Sequence, residues 1–212
     1  NFILVFNGEL YNHVEIRKNL QDKYKIEFNT NSDCEVFLKA FITLGPKEFF
    51  KKACGMWAYV ISDDKGNIFW GRDEYGIKPL FLKKYSSDYF FSSSQRALIK
   101  CIQKDGISYT YLKNFVLSGY QNPNAFSFYN NFDLVQPGYS YSFSKNKNIE
   151  EKLYCPYDDN SLIKKSLREI INEVCISQYP EEVNSSIALS GGIDSTAIMH
   201  ILSSNNLALN CF

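Results

Sequence analysis

A short glycine turn near the carboxyl end of the chain could hold a phosphate group. It reads Ser190-Gly191-Gly192-Ile193-Asp194-Ser195, after a short apolar run and before a stretch with helical periodicity. Such a turn exposes backbone N–H groups at the N-terminus of a helix, where the helix dipole also favours an anion. The loop has neither the lysine of GxxxxGK[ST] nor the spacing of GxGxxG. Asp194 would repel phosphate unless Mg²⁺ lay between them, so the loop predicts a site for phosphate with Mg²⁺.

A second segment suited to chemistry is Asn7-Gly8-Glu9, directly after the apolar run Phe2–Phe6. The side-chain amide of Asn7 and the backbone N–H of Gly8 can converge on one oxygen, and such paired donors stabilise the oxyanion of a tetrahedral intermediate. Glycine also lets that oxygen approach closely. Both segments have simpler interpretations, because Asn-Gly is a common turn and a single serine suffices to cap a helix.

Four stretches occur in a fixed order and resemble the motifs of a known family, the class II (N-terminal-nucleophile) glutamine amidotransferases. Asn7–Asn12 resembles NGE(I/L)YN, Ser32–Glu35 resembles SD(T/C)E, Gly55–Ala58 resembles GMFA, and Gly71–Phe81 resembles GRDxxGxKPLY. The later loop at 190–195 resembles the SGGxDS pyrophosphate-binding loop of ATP pyrophosphatases. This combination is typical of glutamine-hydrolysing asparagine synthetases.

The resemblance implies a role for particular residues. Asn7 and Gly8 would form the oxyanion hole, and glutamine would be bound by Asn7, Gly8, Glu9 and Asp33, the last at its α-amino group. The pyrophosphate part of ATP would be bound by Ser190, Gly191, Gly192, Asp194 and Ser195, with Asp194 also binding Mg²⁺. The family's nucleophile is an N-terminal cysteine, which is not among these 212 residues. Nothing in the sequence places a base next to Cys34, so we do not expect it to replace that nucleophile.

The same resemblance implies the fold and the order of the domains. Residues 1–145 are expected to form an α+β N-terminal-nucleophile hydrolase-type sandwich, incomplete at its N-terminus, which is the glutamine amidotransferase domain. Residues 146–160 are expected to be a linker, in line with the polar run at 144–152. Residues 161–212 would begin an α/β Rossmann-like ATP-pyrophosphatase domain. Apolar runs at both ends and the absence of an initiator Met lead us to expect truncation at each end.

Hydrophobic periodicity predicts the elements that position these residues. Strands are expected at 2–6, 57–62, 68–71, 80–85, 89–92, 139–143, 186–189 and 207–212, and those between 57 and 92 are expected to form one antiparallel meander. Helices are expected at 13–21, 32–44, 109–117 and 162–174. Ser32 and Glu35 are predicted to form a capping box, and Arg72 and Asp73 a local ion pair. The aromatic side chains of Trp57, Tyr59, Phe69 and Trp70 are predicted to lie in the core.

Composition limits the partners that this chain can have. Lys plus Arg and Asp plus Glu both number 23, so no basic excess points to nucleic acid. The longest apolar stretch, Ala53–Ile61, is far shorter than a membrane span. The six cysteines form no CxxC pair, so zinc has no sequence support, and we expect reduced thiols in the cytoplasm. The expected partners are therefore small molecules, namely glutamine, ATP and, by resemblance, aspartate; a homodimer is left open.

Two other functions are left open by the sequence. One is a related amidotransferase with another acceptor, such as a cell-envelope sugar or a secondary metabolite. The other is a non-catalytic remnant that only binds nucleotide or a partner protein. The segment Phe91–Leu98 departs from the family pattern F(A/S)SExKAL, because Ser94 stands where an acidic residue is usual. This departure weakens the assignment of the acceptor and leaves the fold assignment unchanged.

Overall fold

The chain forms two compact units, Asn1–Asp158 and Asp159–Phe212. The computed structural model describes residues 1–85, 88–101, 106–119, 128–130, 132–145, 149–154, 165–179 and 184–212. Among the helices in these ranges, none is long and apolar enough to cross a membrane.

The first unit is built on a five-stranded sheet, called sheet A. Its strands are β1 (Phe2–Leu10), β2 (Gly55–Asp63), β3 (Ile68–Arg72), β7 (Ser140–Ser144) and β8 (Ile149–Tyr154), in the order β1-β2-β3-β7-β8. Every neighbouring pair is antiparallel. The predicted linker at 146–160 is wrong where it includes β8, because those residues pair with β7.

A second sheet, sheet B, lies in the same unit. It contains β4 (Phe81–Tyr85), β5 (Asp88–Ser92) and β6 (Asp133–Leu134), in the order β5-β4-β6. The prediction of one meander between residues 57 and 92 is therefore wrong. The chain leaves sheet A after Arg72, and the loop at 73–80 takes it into sheet B, so β3 pairs with β7 and not with β4.

Helices α1 (His13–Tyr24), α2 (Asp33–Leu44) and α3 (Pro46–Phe50) cover one face of sheet A. Their core side chains include Leu20, Val36, Phe37, Ala40, Phe41 and Phe49, which pack against Leu10, Trp57, Tyr59 and Ile61 of the sheet. The apolar positions of α2 recur at helical spacing, so one stripe of this helix is buried, as the sequence predicted. Burial of this stripe fixes the N-terminal end of α2 beside β1.

The opposite face of sheet A packs on sheet B. The core between the two sheets contains four buried apolar residues, Ala58, Trp70, Leu80 and Val135. On the outer face of sheet B, Leu98 of helix α4 (Gln95–Cys101) packs in a separate small apolar core with Phe132. The resulting layer order, helices then sheet A then sheet B then helix, confirms an α+β sandwich. The predicted core positions of Trp57, Tyr59 and Trp70 are confirmed by their burial. Phe69 packs against the core between sheet A and helices α1 to α3.

Helix α5 (Tyr109–Ser118) agrees with the sequence within one residue, and Ser108 caps it. Four elements of the described residues were missed: α3, α4, β6 and β8. Helix α3 begins at Pro46, directly after the Gly45 that ends α2, because proline is well suited to the first position of a helix.

The second unit contains helix α6 (Leu167–Ser177), strand β9 (Ser186–Ile187), helix α7 (Ile193–Ser204) and strand β10 (Asn210–Cys211). The two strands are parallel, with Asn210 opposite Ser186. Strand, helix and parallel strand form a βαβ unit, in which α7 is the crossover. The predicted helix at 162–174 falls partly outside the described residues, and its described part forms α6. Ser166 and Glu169 form a capping box there.

Candidate functional site

Strand β1 carries the candidate site on its open edge. In the described part of the chain, β1 pairs with β2 alone. The N–H of Tyr11 donates to Cys54 on the β2 side (2.8 Å), whereas the N–H of Leu10 donates away from β2, to the Oδ2 of Asp33 (3.0 Å). Because N–H directions alternate along an antiparallel strand, the N–H of Gly8 also points to the open edge. A backbone donor therefore lies where the sequence predicted one.

The position of Gly8 admits no side chain. A Cβ built on this residue would lie 2.1 Å from the carbonyl oxygen of Met56 and 2.6 Å from the Cα of Trp57. Both are backbone atoms, so β1 would have to separate from β2 to accept alanine. Close approach of two strands, together with an outward N–H, explains why glycine is needed here. The expectation that Asn7-Gly8 ends the strand is wrong, since β1 continues to Leu10.

The side-chain amide of Asn7 is held across the two sheets. Asn7 is exposed, and its Nδ2 donates to the Oγ of Ser93, which follows β5 in sheet B, at 2.9 Å. One of the two hydrogens on Nδ2 is used in this bond, and the second is available to another acceptor. The sequence missed Ser93, because 86 residues separate it from Asn7.

Asp33 lies at the first position of α2 and is half buried. Its bond to Leu10 places the carboxylate at the same edge as the Gly8 N–H, about 6.8 Å along the strand for two residues. That spacing is similar to the length of a glutamine from its α-amino group to its side-chain oxygen. Glu9 lies between these two positions and is exposed. The structure thus brings Asn7, Gly8 and Glu9 of β1 and Asp33 of α2 to the open edge of β1.

The loop before α2 is fixed by a carboxylate and an arginine. Glu35 accepts hydrogen bonds from the backbone N–H groups of Asn29 (2.9 Å) and Thr30 (2.7 Å) and from Lys39 (2.6 Å). Arg17 donates to the carbonyl oxygen of Thr30 at 2.7 Å. The bond from Lys39 and these backbone donors lower the pKa of Glu35 to about 2. The loop that leads to Asp33 is therefore held in one conformation by an ionised Glu35.

The predicted capping box at this helix is wrong in one half. The Oγ of Ser32 caps α2, as predicted, but it accepts from the N–H of Cys34 at 3.2 Å. Glu35 reaches past Ser32 to the loop and does not return to the N–H of Ser32. Cys34 itself is a weak candidate nucleophile, because burial, helped by the charge of Asp33, raises the pKa of its thiol.

Arg72 and Asp73 do not pair with each other as predicted. Asp73 is 1% exposed, and its carboxylate accepts backbone N–H bonds from Tyr75 (3.1 Å), Ile77 (2.9 Å), Lys78 (3.0 Å) and Trp57 (3.3 Å). Arg72 donates to three carbonyl oxygens, those of Lys78, Gly76 and Val135. Both side chains thus hold the loop at 73–79 through hydrogen bonds to the backbone of that loop. The bond to Trp57 connects this loop to the residue opposite Gly8.

The glycine turn of the second unit has the geometry of an anion cradle. Gly191 has a φ of +76°, which glycine adopts without strain. The Oγ of Ser190 accepts from the N–H of Gly192 (3.3 Å) and lies 3.2 Å from the Oγ of Ser195. The N–H groups of the first turn of α7 have no partner within the helix. These donors and hydroxyls fit a phosphate group.

Asp194 lies in the first turn of α7 and is exposed. Within the ranges that the structure describes, no three His, Cys, Asp or Glu side chains gather as metal ligands. A Mg²⁺ ion at Asp194 would therefore take its remaining ligands from phosphate oxygens and water, as Mg²⁺ in nucleotide sites usually does.

Comparison with known proteins connects the first of these sites to a family. The family model of the glutamine amidotransferase domain matches residues 1–155. The chain belongs to the glutamine amidotransferase family. The resemblance inferred from the four ordered motifs is thereby confirmed, and the open edge of β1 lies within the matched residues.

The chain is also similar to proteins named as glutamine-hydrolysing asparagine synthetases. It is 29% identical to the putative asparagine synthetase (glutamine-hydrolyzing) 2 of Methanocaldococcus jannaschii. The match covers 95% of this chain and 40% of that protein. Asparagine synthetase (glutamine-hydrolyzing) 1 of Bacillus subtilis is 27% identical, over 99% of this chain and 34% of that protein. Asparagine synthetase B (glutamine-hydrolyzing) of Escherichia coli is 29% identical, over 94% of this chain and 32% of that protein. The chain thus spans 32% to 40% of the length of these relatives.

A solved structure has a fold similar to that of this chain. The glutamine phosphoribosylpyrophosphate amidotransferase of Bacillus subtilis, complexed with ADP and GMP, matches with a TM-score of 0.50 and 16% identity. The match covers 99% of this chain and 45% of that chain. At this identity the likeness concerns the fold alone, and it is consistent with a sandwich of the N-terminal-nucleophile hydrolase type.

Proposed function

We propose that the first unit is the glutamine-hydrolysing part of an enzyme that makes an amide from a carboxylate, glutamine-derived ammonia and ATP. The observation that carries this proposal is the edge of β1. Along four consecutive residues it has the Asn7 amide, the outward N–H of Gly8, and the N–H of Leu10 that binds Asp33. Similarity to proteins named as glutamine-hydrolysing asparagine synthetases supports the same function.

In the proposed first reaction, a cysteine thiolate attacks the side-chain carbonyl of glutamine. By resemblance, this is the N-terminal cysteine of the mature enzyme, with its own α-amino group as base. The sulfur–carbon bond forms while the carbonyl oxygen takes negative charge, and the Asn7 amide and Gly8 N–H donate to that oxyanion. The carbon–nitrogen bond then breaks, and the nitrogen leaves as ammonia with the transferred proton. Water hydrolyses the thioester to glutamate.

Asp33 would bind the α-amino group of glutamine. Its Oδ2 already accepts from Leu10, which keeps the carboxylate in place, and a substrate ammonium can donate to the other oxygen. Glu9 lies on the same edge, exposed, as a further polar group for the substrate. The binding of the charged end of glutamine at Asp33, beside Leu10, would bring the amide end to Gly8, which lies two residues from Leu10 along β1.

In the proposed second reaction, the loop at 190–195 would hold the pyrophosphate part of ATP. The first-turn N–H groups of α7 and the hydroxyls of Ser190 and Ser195 would bind phosphate oxygens, and Mg²⁺ at Asp194 would neutralise their charge. The acceptor carboxylate becomes an adenylate with release of pyrophosphate, and attack by ammonia gives the amide and AMP. We propose a Rossmann-like ATP-pyrophosphatase domain for the second unit, on the support of its βαβ arrangement.

Aspartate is the proposed acceptor, with asparagine as the product. Ser94, at a position where the resemblance expects an acid, is the observation that favours a second candidate, an amidotransferase with another acceptor. Assays with aspartate, ATP and glutamine that detect asparagine separate the two. The five described cysteines are free, which supports a cytoplasmic enzyme as part of this proposal.

The division between the two units is tested by Asp194→Ala in the full-length protein. We expect loss of amide synthesis, because Mg²⁺ and the phosphates lose their carboxylate, with glutamine hydrolysis largely retained. Asp64→Ala, which removes an exposed aspartate carboxylate of the first unit, is the control. Equal loss of both activities in Asp194→Ala would contradict the proposal.

A further inference from the structure

The oxyanion donor Asn7 needs a means of holding its amide in one orientation. The torsion that turns an asparagine amide is broad, so the side chain does not fix its own orientation. If the amide swung away from the edge of β1, its N–H groups would no longer face the developing negative charge. Asn7 is exposed, so packing does not fix this torsion. A specific hydrogen-bond partner is required.

Ser93 supplies that partner from the other sheet. Its Oγ accepts from the Nδ2 of Asn7 at 2.9 Å. The position of Ser93 is itself fixed, since it lies between the end of β5 and the start of α4, in a turn where the Oγ of Ser92 accepts from the N–H of Ser94 at 3.0 Å. The bond therefore joins a movable amide to a turn held at both ends.

We infer that Ser93 is a positioning residue for glutamine hydrolysis, which anchors the Asn7 amide so that its second N–H hydrogen is directed to the substrate oxyanion. This inference rests on the proposed function, because it assigns to Ser93 the orientation of a donor that acts in that reaction. Ser93 does not itself need to touch glutamine. Its contribution is the restriction of one torsion before the reaction begins.

The inference predicts a particular kinetic signature. Asn7 meets a full negative charge only in the transition state, so a poorly oriented amide lowers kcat and leaves KM for glutamine nearly unchanged. Loss of one neutral hydrogen bond corresponds to about a 2- to 12-fold change. A merely structural role of Ser93 would lower stability and shift kcat and KM without this pattern.

The test measures ammonia release from glutamine by the full-length protein. We expect Ser93→Ala to lower kcat about 2- to 12-fold, and Ser93→Thr, which keeps the hydroxyl, to restore most of it. Ser94→Ala is the matched control, an exposed neighbour whose hydroxyl makes no hydrogen bond among the described residues, and it should keep the wild-type kcat. Thermal unfolding of each variant reports whether it is folded.

A double-mutant cycle with Asn7→Ala makes the test specific. If Ser93 acts through Asn7, Ser93→Ala should have no further effect on kcat in the Asn7→Ala background. Equal kcat in Ser93→Ala and Ser94→Ala, or an independent effect of Ser93→Ala in both backgrounds, would overturn the inference. Wild-type protein that releases no ammonia from glutamine would overturn the proposed function, and this inference with it.

Discussion

Replacement of Asp73 by asparagine tests how the loop at 73–79 is held. The carboxylate is 1% exposed and accepts four backbone N–H groups, two on each oxygen. Asparagine keeps the shape of the side chain but turns one oxygen into an NH₂ group. Whichever way the amide is oriented, two N–H groups of the loop or of β2 then face another donor.

The cost follows from the number of lost bonds. Hydrogen bonds to a charged group contribute about 1.5–3 kcal/mol each, so loss of two destabilises the folded chain by about 3–6 kcal/mol. A typical domain has a free energy of unfolding of about 5–15 kcal/mol, so the variant should be severely destabilised. Asp73→Ala should be at least as damaging, because it leaves all four donors without an acceptor.

Urea-induced unfolding followed by tryptophan fluorescence measures this effect. Both tryptophans of the chain, Trp57 and Trp70, are buried in the first unit and report on its unfolding. Asp64→Asn is the control, because the carboxylate of Asp64 is exposed, in contrast to the buried carboxylate of Asp73. A change below about 1 kcal/mol in Asp73→Asn, within the usual range of single substitutions, would refute the reasoning.

Two further predictions concern the carboxylates around α2. Asp33→Asn keeps an oxygen for the Leu10 N–H but loses its charge, so kcat/KM for glutamine in the full-length protein should fall about 10- to 100-fold; an unchanged value in steady-state assays would contradict the assigned role. Glu35 has a pKa of about 2 when folded, against an ordinary 4.5, so its contribution is present above pH 4.5 and is lost as the pH falls towards 2. The side chain of Glu35 is 16% exposed and lies at the surface, so solvent screening reduces the contribution of its carboxylate to about 1–2 kcal/mol. The difference in unfolding free energy between wild type and Glu35→Gln should therefore be smaller at pH 3 than at pH 7. An equal difference at the two pH values would contradict the stabilising role of the ionised Glu35 carboxylate.

The sequence predicted the elements that depend on local pattern. Helix α2 shows this well, because Ser32 and the apolar stripe at 36–41 are local signals, and both agree with the structure. Strand β1 was predicted only to residue 6, because Asn-Gly usually marks a turn. The strand continues because Gly8 and Gly55 allow β1 and β2 to approach closely, and that information lies in the pairing of two distant segments.

The candidate site was predictable in its residue types and not in its contacts. Asn7, Gly8 and Asp33 were named from motifs, but the bond between Asp33 and Leu10 depends on how α2 packs on β1. No local sequence pattern indicates that Ser93 contacts Asn7, or which groups Arg72 and Asp73 contact. Arg72 and Asp73 are adjacent in the chain, which favoured an ion pair, yet backbone groups of the following loop satisfy both.

The central claim is that the edge of β1 stabilises an oxyanion during glutamine hydrolysis. Steady-state ammonia release by the full-length protein and its Asn7→Ala variant measures this directly. Removal of one oxyanion donor typically lowers kcat about 100- to 1000-fold, so we predict a fall of that size with KM for glutamine nearly unchanged. A folded Asn7→Ala variant with the wild-type kcat would contradict the account.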